Sequence, residues 1–154
     1  MWSLGRQVEV YDAELFGILQ ATNHARQWTE QNTDIKTSWI FVDDQAAILR
    51  CLKPHPTAGQ HLSLQNIDNI QMILNTRSDT QVGIQWVPGH TAVPGNDSAD
   101  ACAKRAAQLP PHGGVSFMSL AFLRREVQLA GQRERWQVWK TCTTGSSYTT
   151  TAKR

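Results

Sequence analysis

Three carboxylates and one histidine stand where this chain could do chemistry. Glu14 lies in Tyr11-Asp12-Ala13-Glu14-Leu15, at the head of a stretch with helical periodicity. Asp43 closes the apolar run Ser38-Trp39-Ile40-Phe41-Val42. His90 ends Trp86-Val87-Pro88-Gly89-His90, and Asp100 ends Gly95-Asn96-Asp97-Ser98-Ala99-Asp100. Carboxylates are hard oxygen donors of the kind Mg²⁺ prefers. A pair of such ions orients a water and stabilises a leaving oxygen in phosphodiester cleavage, and a histidine beside them moves protons. Each residue alone has a plainer reading. An acid in a first helical turn is ordinarily a dipole partner or cap, Asp43 a strand-end turn residue, and His90 a loop histidine. Their order and local context together carry the chemical reading.

Side chains with those roles need strand ends and helix starts to hold them. Residues 4–10 alternate toward their end and read as a short strand. Residues 11–28 read as a helix, with Asp12 as N-cap and Tyr11 and Phe16 as a hydrophobic staple. Leu15, Ile18, Leu19 and Thr22 share one of its faces. Residues 38–43 are an apolar run of buried-strand type, and Asp44 opens the next helix. Two prolines and a glycine make 53–59 a loop. Leu64, Ile67, Ile70 and Leu74 mark a helix over 62–75. Val82, Ile84 and Trp86 alternate as a strand, and 97–108 is an alanine-rich helix. There is no internal repeat. Alternating strands and helices indicate an α/β fold with a largely buried parallel pair.

The chain of 154 residues suits one domain. No run approaches the roughly 18 apolar residues of a membrane span, and the N-terminus lacks a secretory pattern. Cys51, Cys102 and Cys142 are odd in number and widely spaced, which reads as reduced intracellular thiols, nuclear or cytoplasmic. Cys51, His55 and His61 match no zinc spacing. The net charge of +2 hides an asymmetry. Residues 1–103 carry six Lys/Arg against eleven Asp/Glu, and residues 104–154 carry nine against two. An acidic core suits divalent cations. The basic segment suits a phosphate backbone, or is simply a solvated helix face and tail.

Taken in order, these motifs resemble the RNase H family. Tyr11 to Leu15 resembles the helix that supplies its catalytic Glu, and Ile40 to Ala47 the strand-end block whose first Asp is catalytic. Trp86 to His90 and Gly95 to Asp100 resemble its flexible histidine loop and the helix bearing its last Asp. The flanks are most like the type-1 domains of fungal non-LTR retrotransposon polyproteins. The resemblance implies an RNase H-like α/β fold, a three-layer mixed sheet with flanking helices. It implies metal-dependent endonucleolytic cleavage of the RNA strand of an RNA–DNA hybrid. Glu14, Asp43 and Asp100 would be ligands for Mg²⁺ or Mn²⁺ in a two-metal site, with His90 as the mobile proton-transfer group. Asp44 stands where relatives often have Ser and reads as an N-cap. Asp97 replaces a usual Glu and serves the helix start. A metal-dependent exonuclease or integrase of similar architecture fits the histidine loop less well.

The expected organisation is an RNase H-like domain over 1–109, a linker at 110–116, a basic helical extension at 117–140 and a disordered tail at 141–154. One departure stands out. The family's first catalytic Asp comes from an Asp-Gly-Ser-type segment upstream of the Glu helix, and no such segment precedes Glu14 here. The domain is therefore expected to lack its first two strands and to hold an incomplete two-metal site. It would expose an open sheet edge able to pair with another chain. The alternative function is a catalytically inactive nucleic-acid-binding remnant. No membrane partner is expected.

Overall fold

The computed structural model describes residues 3–111, 113 and 117–142. Most of the expected linker at 110–116, and the expected disordered tail beyond residue 142, lie outside these residues.

Helical periodicity builds α1 (Val10–Gln31), which buries Leu15, Ile18, Leu19 and Thr22 as their spacing predicts. Its start differs from expectation. The N-cap is Glu9, without a side-chain cap bond, and the Ala13 N–H donates to the Glu9 carbonyl at 3.1 Å. That bond closes the first turn ahead of Asp12, which is buried inside the helix and caps nothing. The expected strand over 4–10 is also replaced. It shrinks to one parallel bridge between Gln7 and Met118, flanked by Phe117 N–H to Leu4 C=O at 3.3 Å and Ser119 N–H to Gln7 C=O at 2.8 Å. A strand needs a neighbour to fill its ladder, and among the described residues only 117–119 offers one before the helix begins.

Two parallel strands follow, β1 (Thr37–Val42) and β2 (Gln81–Trp86). Their register runs from Thr37 opposite Gln81 to Val42 opposite Trp86. The crossover between them carries α2 (Gln45–Leu52) and α3 (Gln60–Thr76). Parallel strands require such a connection. Leu15, Ile18 and Leu19 of α1, Ile40 and Val42 of β1, Ala47 and Cys51 of α2 and Leu62 of α3 form one core. Each fully buried Leu or Ile contributes about 1.5–3 kcal/mol of burial.

The opposite face of β1 is not covered. Trp39 is 57% and Phe41 63% exposed, so of the expected largely buried pair β1 is buried on one face only, and β2 is no more than half-buried. Helix α4 (Pro94–Ala107) looks onto that side across an open cleft of about 870 Å³, lined by Trp39, Phe41, Val93 and Ala99. Among the described residues the expected three-layer mixed sheet is thus realised as two parallel strands with α1, α2 and α3 packed on one face. The outer edge of β1 is open as well. Gln81 N–H bonds Lys36 C=O and Val87 N–H bonds Val42 C=O, so even-numbered backbone groups point at β2. By the alternation of the pleat, those of Trp39 and Phe41 point the other way, where no described strand pairs with them.

The α1–α3 contact is polar where apolar spacing pointed elsewhere. Leu64 and Leu74 are exposed, while Ser63, Asn66 and Asn69 are buried. Thr22 Oγ1 donates to Asn66 Oδ1 at 2.8 Å, and Asn69 Nδ2 donates to Asn23 Oδ1 at 2.9 Å. Paired this way, the amides avoid the penalty of unsatisfied burial. Gly59 caps α3 with φ at 78° and presses against Leu15, so a side chain there meets both strain and a clash.

The basic extension forms α5 (Leu120–Thr141), capped by Ser119 Oγ accepting the Phe122 N–H at 3.1 Å. None of its residues is buried.

Candidate active site

Each candidate residue sits at the end or start of an element. Asp43 follows the last residue of β1, and Val87 N–H to Val42 C=O at 3.0 Å carries the ladder one bond past β2. The Trp86 indole Nε1 donates to the Asp43 carbonyl at 3.1 Å. These bonds fix where the Asp43 side chain leaves the sheet. Asp44 caps α2 as expected, its Oδ1 accepting from the N–H groups of Ala46 at 2.8 Å and Ala47 at 3.1 Å. That satisfies two otherwise unpaired donors of the helix start.

After β2 the chain turns through Pro88 and Gly89 into a loop with two left-handed non-glycine residues, His90 at φ 55° and Ala92 at φ 58°. Gly89 lies against Asp43; a Cβ there would stand 2.8 Å from Asp43 Oδ2. Helix α4 then begins with Pro94 in its first turn, where a missing N–H costs nothing. It starts three residues ahead of the expected 97, and Asp97 lies in its first turn. Asn96 Nδ2 donates to Asp43 Oδ2 at 3.2 Å. One turn further along, Asp100 Oδ2 meets His90 Nδ1 at 3.0 Å. His90 is otherwise open, its side chain 77% exposed against 30% for Asp100.

Glu14 is half-buried in α1 and faces this group. Its carboxyl is held above the ordinary value of 4.5, first by burial and then by the charges of Asp43, Asp44 and Asp100. Burial disfavours the ionised form, and neighbouring anions disfavour it further. The three carboxylates singled out from the sequence therefore share one electrostatic neighbourhood, with Asp44 as a fourth charge and His90 on its rim. Two other acids near Glu14 do not join. Glu9 pairs with Arg125 at 2.6 Å, and Asp12 is buried against Gly59.

Sequence reading assigned no role to Asn96 or Gly89. Asn96 precedes Asp100 by four positions, and that spacing puts both on one helix face. The signal was present in the Gly95 to Asp100 segment.

The donor set is oxygen-rich and self-repelling, which is the chemistry a hard divalent cation relieves. Its spacing is looser. Among the described residues no three His, Cys, Asp or Glu side chains stand together closely enough to hold one ion. One oxygen of Asp43 is engaged by Asn96 and one of Asp100 by His90. Cys51, set aside as a ligand from its spacing, is buried beside Asn66, and burial pushes its thiol up. No helix among the described residues is long and apolar enough to cross a membrane.

A family model described as RNase H matches residues 6–108. No curated protein and no solved structure matches the chain. The matched span covers α1 through α4, hence every residue of the carboxylate cluster, and stops short of α5.

Proposed function

The chain belongs to the RNase H family, and from that membership we propose that it is a divalent-metal-dependent endoribonuclease acting on the RNA strand of RNA–DNA hybrids. The observation that supports this most is the electrostatic convergence of Glu14, Asp43 and Asp100, with His90 in contact with Asp100.

Glu14, Asp43 and Asp100 would hold Mg²⁺ or Mn²⁺. When bound, such an ion activates water and stabilises the leaving oxygen. The chain's own groups do the positioning. Asn96 and Gly89 orient the Asp43 carboxylate from two sides. Asp100 engages Nδ1 of His90, which leaves Nε2 on an exposed loop to carry protons to or from the reacting phosphate. Glu14, raised first by burial and then by the charges of Asp43, Asp44 and Asp100, is a carboxyl whose ionised form an incoming cation would favour.

The descent we propose is from a retrotransposon polyprotein, most like those of fungal non-LTR elements. It is supported by the flanks of the four motifs and by a basic helix after the domain. The domain extent of 1–109 belongs to the same proposal. It is supported by the family model, which matches residues 6–108.

A second reading, a remnant that binds nucleic acid without cutting it, draws on one observation: at most two of the candidate ligands stand within reach of one ion. One experiment separates the two. The purified chain is incubated with a labelled RNA–DNA hybrid over a titration of Mg²⁺ and Mn²⁺. RNA fragments released by the wild type and lost in Asp43→Asn and Asp100→Asn establish the nuclease. Hybrid binding with no cleavage at any metal concentration establishes the remnant.

A further inference from the structure

An acidic domain that acts on a polyanion needs cations from somewhere. Residues 1–103 carry six Lys/Arg against eleven Asp/Glu, so the charge of the core opposes a nucleic acid. The compensating charge is concentrated beyond residue 103, and α5 holds a large share of it. Arg124, Arg125, Arg133, Arg135 and Lys140 stand there against Glu126 and Glu134. Arg124, Arg133 and Arg135 have no ion-pair partner among the described residues.

The root of α5 is fixed against the start of α1, on the side of Asp12 and Phe16. Ser119 Oγ accepts the Glu9 N–H at 3.3 Å, and Arg125 pairs with the Glu9 carboxylate at 2.6 Å. Glu9 is the N-cap of α1, the helix that carries Glu14 little more than one turn further on. The far half of α5 is exposed and mixes charge with flat aromatic surface. Lys140 lies over the Trp136 ring at 5.5 Å from its centroid. Gln132, Arg135, Trp136 and Trp139 line a shallow groove. Indoles beside cations suit a sugar–phosphate edge, where an apolar face and an anionic one alternate.

We infer that α5 is a nucleic-acid-binding arm: Arg135 on one flank of the Trp136 and Trp139 indoles, and Arg133 and Lys140 on the other, grip the phosphate backbone of the hybrid. The inference rests on the hybrid-nuclease reading for its ligand, and α5 lies outside the span that the family model matches.

The test uses the full chain and a fluorescein-labelled RNA–DNA hybrid, with anisotropy read in EDTA across a salt series. The combined variant Arg133→Gln, Arg135→Gln and Lys140→Gln is expected to bind at least about tenfold more weakly at low salt. Its log K against log salt slope should be shallower by roughly 2–3, since each phosphate contact contributes about 0.9. Cleavage by this variant should show a raised KM and an unchanged kcat. Trp136→Ala with Trp139→Ala should weaken binding and leave the salt slope alone, and circular dichroism matching the wild type shows that both variants fold.

Equal affinity and equal slope in the charge variant overturn the arm, and so does a wild type that binds no hybrid. A dimer by light scattering, with hybrid affinity unmoved by the charge variant, overturns it in favour of a helix–helix interface. A wild type that cleaves while the charge variant binds equally well removes the arm and leaves the nuclease standing. A wild type that binds through α5 and never cleaves does the reverse.

Discussion

Asn96, in the first turn of α4, donates from Nδ2 to Asp43 Oδ2 at 3.2 Å, and so ties the helix to the end of β1 across 53 residues of sequence. The bond engages one carboxylate oxygen and limits how the other can point. Asn96→Ala is expected to lower hybrid cleavage by about 10–100-fold, the usual loss when a group orienting a metal ligand is removed. Unfolding midpoints in urea should scarcely move, because the bond lies at the rim of the fold. Activity within a factor of two of wild type would mean that Asp43 is held without it.

The carboxyl of Glu14 is raised in the folded chain by burial and by Asp43, Asp44 and Asp100. Between its ordinary value of 4.5 and the raised one, the folded state binds more protons than the unfolded state. Without metal, stability therefore falls as pH rises through that window and stays lower above it. Glu14→Gln should melt at a higher temperature than wild type at pH 7, with the difference vanishing below pH 4.5. Added Mg²⁺ should raise the wild-type Tm more than that of the variant. A variant that melts lower at pH 7 contradicts the account.

Asp44 shares the acidic neighbourhood, yet its Oδ1 is occupied by two backbone N–H groups of α2. Asp44→Ala should cost about 1 kcal/mol of stability, the typical value for losing a cap, and leave cleavage in place. Asp44→Asn should recover most of the loss. Abolished cleavage in the alanine variant, with fold intact, would move Asp44 from cap to ligand.

Asn66 is fully buried and accepts from Thr22 Oγ1 at 2.8 Å between α1 and α3. Asn66→Ala leaves Thr22 and Cys51 short of a partner and opens space, so a loss of about 2–3 kcal/mol is expected in urea unfolding. Combined with Thr22→Ala, the two changes should be non-additive by at least about 0.5 kcal/mol, as residues in one network are. Strict additivity would show that the contact carries no coupling.

Much of this protein follows from local order in the sequence alone. The 3.6-residue spacing of Leu15, Ile18, Leu19 and Thr22 gives α1 and its buried face, and Asp44 ahead of Ala46 and Ala47 gives the cap of α2. Two apolar strands separated by helical stretches give the parallel pair. These are short-range matters of periodicity and hydrogen bonding within an element. Family membership also follows from sequence, since its motifs lie in contiguous blocks.

Only the tertiary structure decided which acids meet. Asp12 and Glu14 are two positions apart, and about 200° of helical turn separates them. One is buried against Gly59 and the other faces Asp43 and Asp100. The Asn96 to Asp43 bond, the polar stripe of α3 and the exposure of Trp39 and Phe41 have the same origin. Each depends on what lies across the gap from a residue, and that is set by packing between elements far apart in the chain.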